Sequence, residues 1–167
     1  MKKWNYLLVP ILVLGLAVSF IGCSKDEDNG TTPTTSFEDQ FMGTWLSTGE
    51  NVAAGFTSFD SLLVTFNDDM TIETKFHIDG VGWTTWGGAW EATESETGTI
   101  HSVTIQYTQA DPVHDESGII QVVEGSPDVM TLEVYNTALG LDIPTPEDGF
   151  GGTALGDTWV QTYVRYE

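Results

Sequence analysis

The sequence predicts an all-β domain built as an eight-stranded antiparallel up-and-down barrel, and three observations predict it. From Phe59 onward apolar residues alternate with polar ones instead of recurring at helical spacing, the pattern of strands with one buried face. The alternating runs are separated by short gaps rich in Asn, Asp, Gly and Pro, as hairpin connections require. No segment carries a long amphipathic helical pattern, and no internal repeat is evident.

Eight strands are predicted in order, over about 43–49, 59–66, 70–78, 82–92, 99–109, 117–124, 129–136 and 157–166. The third shows the alternation most clearly: Met70, Ile72, Phe76 and Ile78 share one face, and Thr71, Glu73, Lys75 and His77 share the other. Asn67-Asp68-Asp69 is the tight polar turn before it. Leu62, Val64 and Phe66 form a buried face on the second strand, as do Val103, Ile105 and Tyr107 on the fifth and Met130, Leu132 and Val134 on the seventh. Gly87-Gly88 interrupts the fourth strand, and paired glycines inside a strand mark a bulge or bend that lets a sheet curl. The long connection from Thr137 to Gly156 is rich in Gly, Pro and acids, so it is either functional or mobile. A β-sandwich of immunoglobulin type is the competing arrangement. Short gaps throughout suit a meander better than Greek-key crossings.

The amino terminus has a different character. Lys2 and Lys3 precede an almost unbroken apolar run from Leu7 to Ile21, the layout of a secretory signal over residues 1–22. As a helix that run would span about 22 Å, short of the roughly 30 Å hydrocarbon core a permanent anchor must cross. Phe20-Ile21-Gly22-Cys23 resembles the lipobox of bacterial lipoproteins, which implies cleavage before Cys23 and acylation of its thiol. Ser24-Lys25-Asp26-Glu27-Asp28 resembles the acidic stretch that follows the lipid-bearing cysteine in surface lipoproteins of Bacteroidetes-like bacteria. The resemblance implies a lipid-anchored location at the outer membrane, with its outer face at the cell surface as one possible address. Residues 23–36 then form the lipidated cysteine and a flexible acidic, Thr-rich tether, and 37–167 form the domain.

Charge narrows the partners. Without Lys2 and Lys3 the chain keeps three basic residues, Lys25, Lys75 and Arg165, against 25 acids, a formal charge of −22. Nucleic acid is excluded as a partner, because phosphate binding needs a basic surface. Attachment to the membrane must rest on the N-terminal acyl chains, more than one of which is needed for a stable hold. With Cys23 acylated no thiol remains for a disulfide, so the single core of about 130 residues must hold by packing.

The two ends of the domain meet a family pattern. Phe37-Glu38-Asp39-Gln40-Phe41-Met42-Gly43-Thr44-Trp45 resembles the opening of lipocalin-like domains, where a short helical turn leads into Gly-x-Trp on the first strand. Ser36 with Asp39 would cap that turn. The resemblance implies that Trp45 packs across the closed end of the barrel and that a basic residue near the end of the domain covers it. Arg165 is the only basic residue of the last strand, so that role passes to it. Guanidinium-on-indole stacking is worth about 0.5–2 kcal/mol.

Function is expected to be binding. Phe66, Phe76, Trp86, Trp90 and Tyr107 share core parity, and in an eight-stranded barrel such side chains either fill the interior or surround one small apolar or amphipathic ligand. Trp83 and Trp159, on the opposite parity, would instead form an exposed stacking platform for a glycan or a protein, together with loop 137–156. No metal site or cofactor is predicted: His77 and His101 fall on opposite faces, and His114 sits in the acidic run Asp111-Pro112-Val113-His114-Asp115-Glu116, read as a solvated turn. Asp26-Glu27-Asp28-Asn29-Gly30 lacks the distal Glu of a calcium loop. There is no Gly-x-Ser-x-Gly elbow, and the paired carboxylates fall in predicted turns, so an enzyme is not the expectation.

Overall fold

The alternation becomes eight strands: β1 Gly43–Thr48, β2 Phe59–Phe66, β3 Thr71–Ile78, β4 Gly82–Thr93, β5 His101–Tyr107, β6 His114–Val123, β7 Val129–Asn136 and β8 Gln161–Tyr166. The computed structural model describes residues 36–96 and 98–166. The signal segment 1–22, Cys23 and the tether as far as residue 35 lie outside the described residues. Each strand pairs antiparallel with its neighbour in sequence, and β1 pairs also with β8, so the sheet closes as β1-β2-β3-β4-β5-β6-β7-β8. Closure excludes the sandwich and gives a lipocalin-like barrel without exposed sheet edges.

Several boundaries differ from expectation: β5 is two residues shorter at each end than 99–109, the ends of β1, β4 and β6 shift by one, and three further differences follow from the pairing. Met70 belongs to the β2–β3 turn with φ 62°, a left-handed residue that ends the turn begun at Asn67. Residues 157–159 belong to a 3-10 turn, Gly156–Trp159, and β8 starts only at Gln161. β6 begins at His114 instead of 117, because Tyr107 pairs with His114 and Ile105 with Glu116. The acidic run that composition marks as a turn is thus partly a strand.

One end of the barrel is shut. A 3-10 turn, Phe37–Gln40, leads into Phe41, and the Ser36 amide donates to Asp39 Oδ2 at 2.6 Å. Phe41 and Trp45 are fully buried, and the indole N–H of Trp45 donates to the Phe41 carbonyl at 2.8 Å. Phe66 and Trp90 pack edge to face at 4.9 Å, with Phe41 6.0 Å from Trp90. Trp90 Nε1 meets no acceptor among the described residues, a cost that the surrounding packing must outweigh. Arg165 pairs with Trp45 in register and lays its guanidinium 4.1 Å from the indole centroid. The same group donates to the carbonyls of Met42 at 2.6 Å and Gln40 at 3.0 Å, and to Asp128 Oδ2 at 2.8 Å.

Two strand glycines set how closely neighbours approach. A Cβ on Gly88 would lie 2.0 Å from the Gln106 carbonyl oxygen, and one on Gly118 would lie 1.9 Å from that of Glu133. The β3–β4 register runs through Gly87 and Gly88 without a shift, so on that side the pair makes no bulge. Its lack of side chains is instead what lets the β5 backbone close against β4. Gly88→Ala is expected to destabilise the fold by roughly 1–3 kcal/mol, read as a lower denaturation midpoint with an unchanged denaturant slope.

The long β7–β8 connection is strapped to the outside of the wall. Glu133 points outward from β7 yet is fully buried. Its Oε1 accepts from the Tyr135 hydroxyl at 2.5 Å and its Oε2 from the Gly151 amide at 2.8 Å. The Tyr135 hydroxyl also meets Thr153 Oγ1 at 2.7 Å. Burial, and then the bond to Glu133, push the Tyr135 phenol upward from its ordinary pKa.

Candidate functional site

Four connections crowd the opposite end: 49–58, 79–81, 108–113 and 137–160. They surround a mouth rather than a lid. Gln161, buried at the start of β8, ties the first of them down: its Oε1 accepts from the Ala53 amide at 2.9 Å, and its Nε2 donates to Ser47 Oγ and to the Asn51 carbonyl. The Gly55 amide then donates to the Thr158 carbonyl at 2.7 Å. A Cβ on Gly55 would meet the Trp159 ring at 2.9 Å, so the glycine admits that indole to the mouth.

Between these loops lies a pocket of about 440 Å³, whose walls include Phe56, Phe59, Trp86, His114, Glu116 and Trp159. Below it the interior narrows to about 60 Å³ among Leu62, Thr74, Phe76, Tyr107, Gln161 and Tyr163. The barrel is therefore filled in its lower part and open at the top. The rings form a continuous chain around the opening: Trp159 to Phe56 at 4.9 Å, Phe56 to Phe59 at 5.5 Å, Phe59 to Phe76 at 4.8 Å, Phe76 to Trp86 at 4.6 Å and Trp86 to Tyr107 at 5.5 Å.

The aromatic candidates thus separate by height. Trp86 lines both the mouth pocket and the narrow space below it, Phe76 and Tyr107 line only the narrow space, and Phe66 and Trp90 lie in the packed closed end and line neither. Trp45 and Arg165 sit at the closed end too. Trp83 is 56 % exposed on the outer wall, 5.2 Å from the ring of His77. Trp159, expected beside it on an exposed platform, is instead half-buried in the mouth. The 3-10 turn Gly156–Trp159 takes it off the strand on which parity reasoning placed it.

Two polar residues of the mouth were not among the sequence candidates. His114 and Glu116 occupy alternate positions on β6, the inward parity that Ile120 shares, and His114 Nε2 stands 3.4 Å from Glu116 Oε1. His114 Nδ1 lies 2.9 Å from the Pro112 carbonyl oxygen, which can only accept, so that nitrogen carries a proton. A hydrogen bond between the other nitrogen and the carboxyl then needs one further proton, held on either partner. Extending the alternation of Ile120 and Val122 backwards to 116 and 114 was the available signal; the acidic composition of the run masked it.

Electrostatics marks Glu116 further. Burial raises its carboxyl above the usual range, and His114 partly offsets the rise. Tyr107, also raised by burial and then by Glu116, bonds Thr74 Oγ1 at 2.8 Å. Burial and Glu116 also raise Tyr163. Since the folded state holds the Glu116 proton more tightly than the unfolded chain, stability falls as pH rises from about 4.5 through the raised value. Glu116→Gln is therefore expected to raise the melting temperature at pH 8, with the gain vanishing towards pH 4. Thermal melts of both proteins across that range check it.

The other histidines stand apart. His77 is on the outer wall, 2.8 Å from Asp60, and His101 is buried at the closed end, 4.8 Å from the ring of Phe37. Burial lowers the His101 pKa from its ordinary 6.5. Its contribution to stability is complete above 6.5 and is lost as pH falls through the folded value. Among the described residues no three His, Cys, Asp or Glu converge as metal ligands.

Compared with known proteins, the chain matches no family model, no curated protein and no solved structure.

Proposed function

We propose that this protein is a lipid-anchored binding protein of the bacterial outer membrane whose barrel holds one small apolar or amphipathic molecule. The observation that carries the reading is the mouth pocket of about 440 Å³, walled by aromatic rings over a filled floor. Such a concave, mainly apolar site with a few convergent polar groups is the usual form of a small-molecule site. The ligand sits at the mouth instead of deep in the barrel, with its apolar part against Phe59, Trp86 and Trp159. Gly22-Cys23 and the acidic segment after it support the anchor and the location.

The test is titration with an apolar fluorescent probe that is displaced by medium-chain amphiphiles. Micromolar binding that Trp86→Ala weakens at least tenfold, with Trp83→Ala unaffected, supports the reading. No binding, or equal loss in both variants, overturns it.

Exposed apolar residues on the mouth loops favour a second reading, an interaction module for a glycan or protein. Val81, Val113 and Leu139 are 74 %, 65 % and 66 % exposed on three different connections at the end of the barrel where β4, with Trp83, begins. In that case Trp83→Ala and Val81→Ser would abolish partner binding and leave probe binding intact.

A further inference from the structure

We infer that the mouth selects an amphipathic organic cation, an amine or quaternary ammonium on an apolar body, with the cationic head at Glu116 and the body among the aromatic rings. This rests on the binding reading above and names the ligand class of the same site.

Three observations converge on it. First, a carboxyl group stands on the pocket wall with its side chain 20 % exposed, open to the cavity yet largely out of water. Around it are π-faces, which attract cations through the ring quadrupole, and more strongly when desolvated. Trp86 is 5.1 Å from the ring of His114, which touches Glu116. Second, no Lys or Arg among the described residues reaches the mouth. Of the two Lys or Arg residues among the described positions, Lys75 pairs with Glu73 on the outer wall and Arg165 closes the far end. An anionic head group would meet no Lys or Arg there, and the His114 ring already stands against the Glu116 carboxyl. Third, the four mouth connections carry seven acids (Glu50, Asp79, Asp111, Asp142, Glu147, Asp148, Asp157) and no Lys or Arg. A rim of one sign focuses a field that raises the local concentration of the opposite charge.

The His114–Glu116 contact adds a signature that a neutral ligand would lack. Burial makes the Glu116 carboxyl hold a proton more readily than a free one, with His114 Nε2 standing 3.4 Å away. A cation docking on the carboxylate takes the place of that proton, so binding releases it and affinity falls on acidification. The other titratable groups facing Glu116 are Tyr107 from β5 and Tyr163 from β8, and both are raised phenols that stay neutral through this range. The elements β3 and β7 contribute Thr74 and Val134, which do not titrate.

Three probes of equal chain length decide it: hexyltrimethylammonium, hexan-1-ol and hexanoate, titrated calorimetrically against the full chain in phosphatidylcholine nanodiscs, with empty discs subtracted. At pH 8 the cation is expected to bind about tenfold tighter than the alcohol, which is about 1.4 kcal/mol, and hexanoate weakest. Between pH 8 and 5.5 the cation should lose affinity while the alcohol does not. Glu116→Gln should bring the cation down to the alcohol's affinity and leave the alcohol unchanged. Equal binding of cation and alcohol, or a preference for hexanoate, overturns the cation inference while the pocket reading survives. Failure of all three to bind overturns both. The comparison among probes on the unaltered protein needs no variant, so it stands even if Glu116→Gln misfolds.

Discussion

Trp45→Ala is expected to lower the free energy of unfolding by about 3–5 kcal/mol, the range for emptying a fully buried aromatic site. Trp45 has no solvent exposure, so its removal leaves a cavity at the closed end and strands the Phe41 carbonyl that its N–H satisfied. It also takes away the face on which Arg165 rests at 4.1 Å. Arg165→Ala removes that stacking from the other side, together with the bonds to Gln40, Met42 and Asp128. Its expected cost is about 2–4 kcal/mol. Because the two side chains touch, their effects should not add. A double-mutant cycle in urea should give a coupling of about 0.5–2 kcal/mol, and a coupling near zero would show that the stacking adds nothing beyond packing. Ligand binding at the mouth should persist in whatever fraction remains folded.

Glu133→Ala is expected to cost about 2–4 kcal/mol and, unlike Trp45→Ala, to damage the mouth as well. Removing the carboxylate leaves the Gly151 amide without its acceptor and frees the Tyr135 hydroxyl on that side, and each buried orphan costs about 1–3 kcal/mol. Those bonds hold the connection that carries Leu139, Leu141 and Trp159 to the pocket. Amide exchange should therefore rise first around Gly151 and spread along 137–160, with the barrel strands still protected. If exchange rises uniformly across β1–β8 instead, the connection is not an independently held strap. The opposite substitution at the mouth, Glu116→Gln, is expected to stabilise, since a buried carboxyl whose pKa is raised opposes folding at neutral pH. A group kept against its effect on stability is the usual mark of a functional position.

Periodicity of two in the chain was enough to set the all-β class, the number of strands and the face of most side chains. Met130, Leu132, Val103, Ile105 and Tyr107 point inward as their alternation requires, because successive side chains in a strand must take opposite faces. Gly43-x-Trp45 and Arg165 marked the two strands that the register joins. What alternation cannot carry is height along the barrel axis. Phe66 and Phe76 have the same parity, yet one ends β2 at the closed end and the other faces the cavity. Height follows from where each ladder begins and how the strands stagger on closure, and those are long-range pairings. The same pairings turned part of an acidic run into the first residues of β6, setting His114 beside Glu116, and buried Glu133 on the outside under a strap. The shape of the domain was thus a local property of the chain; the site was not, because its parts come from separate strands and loops that only the closed sheet brings together.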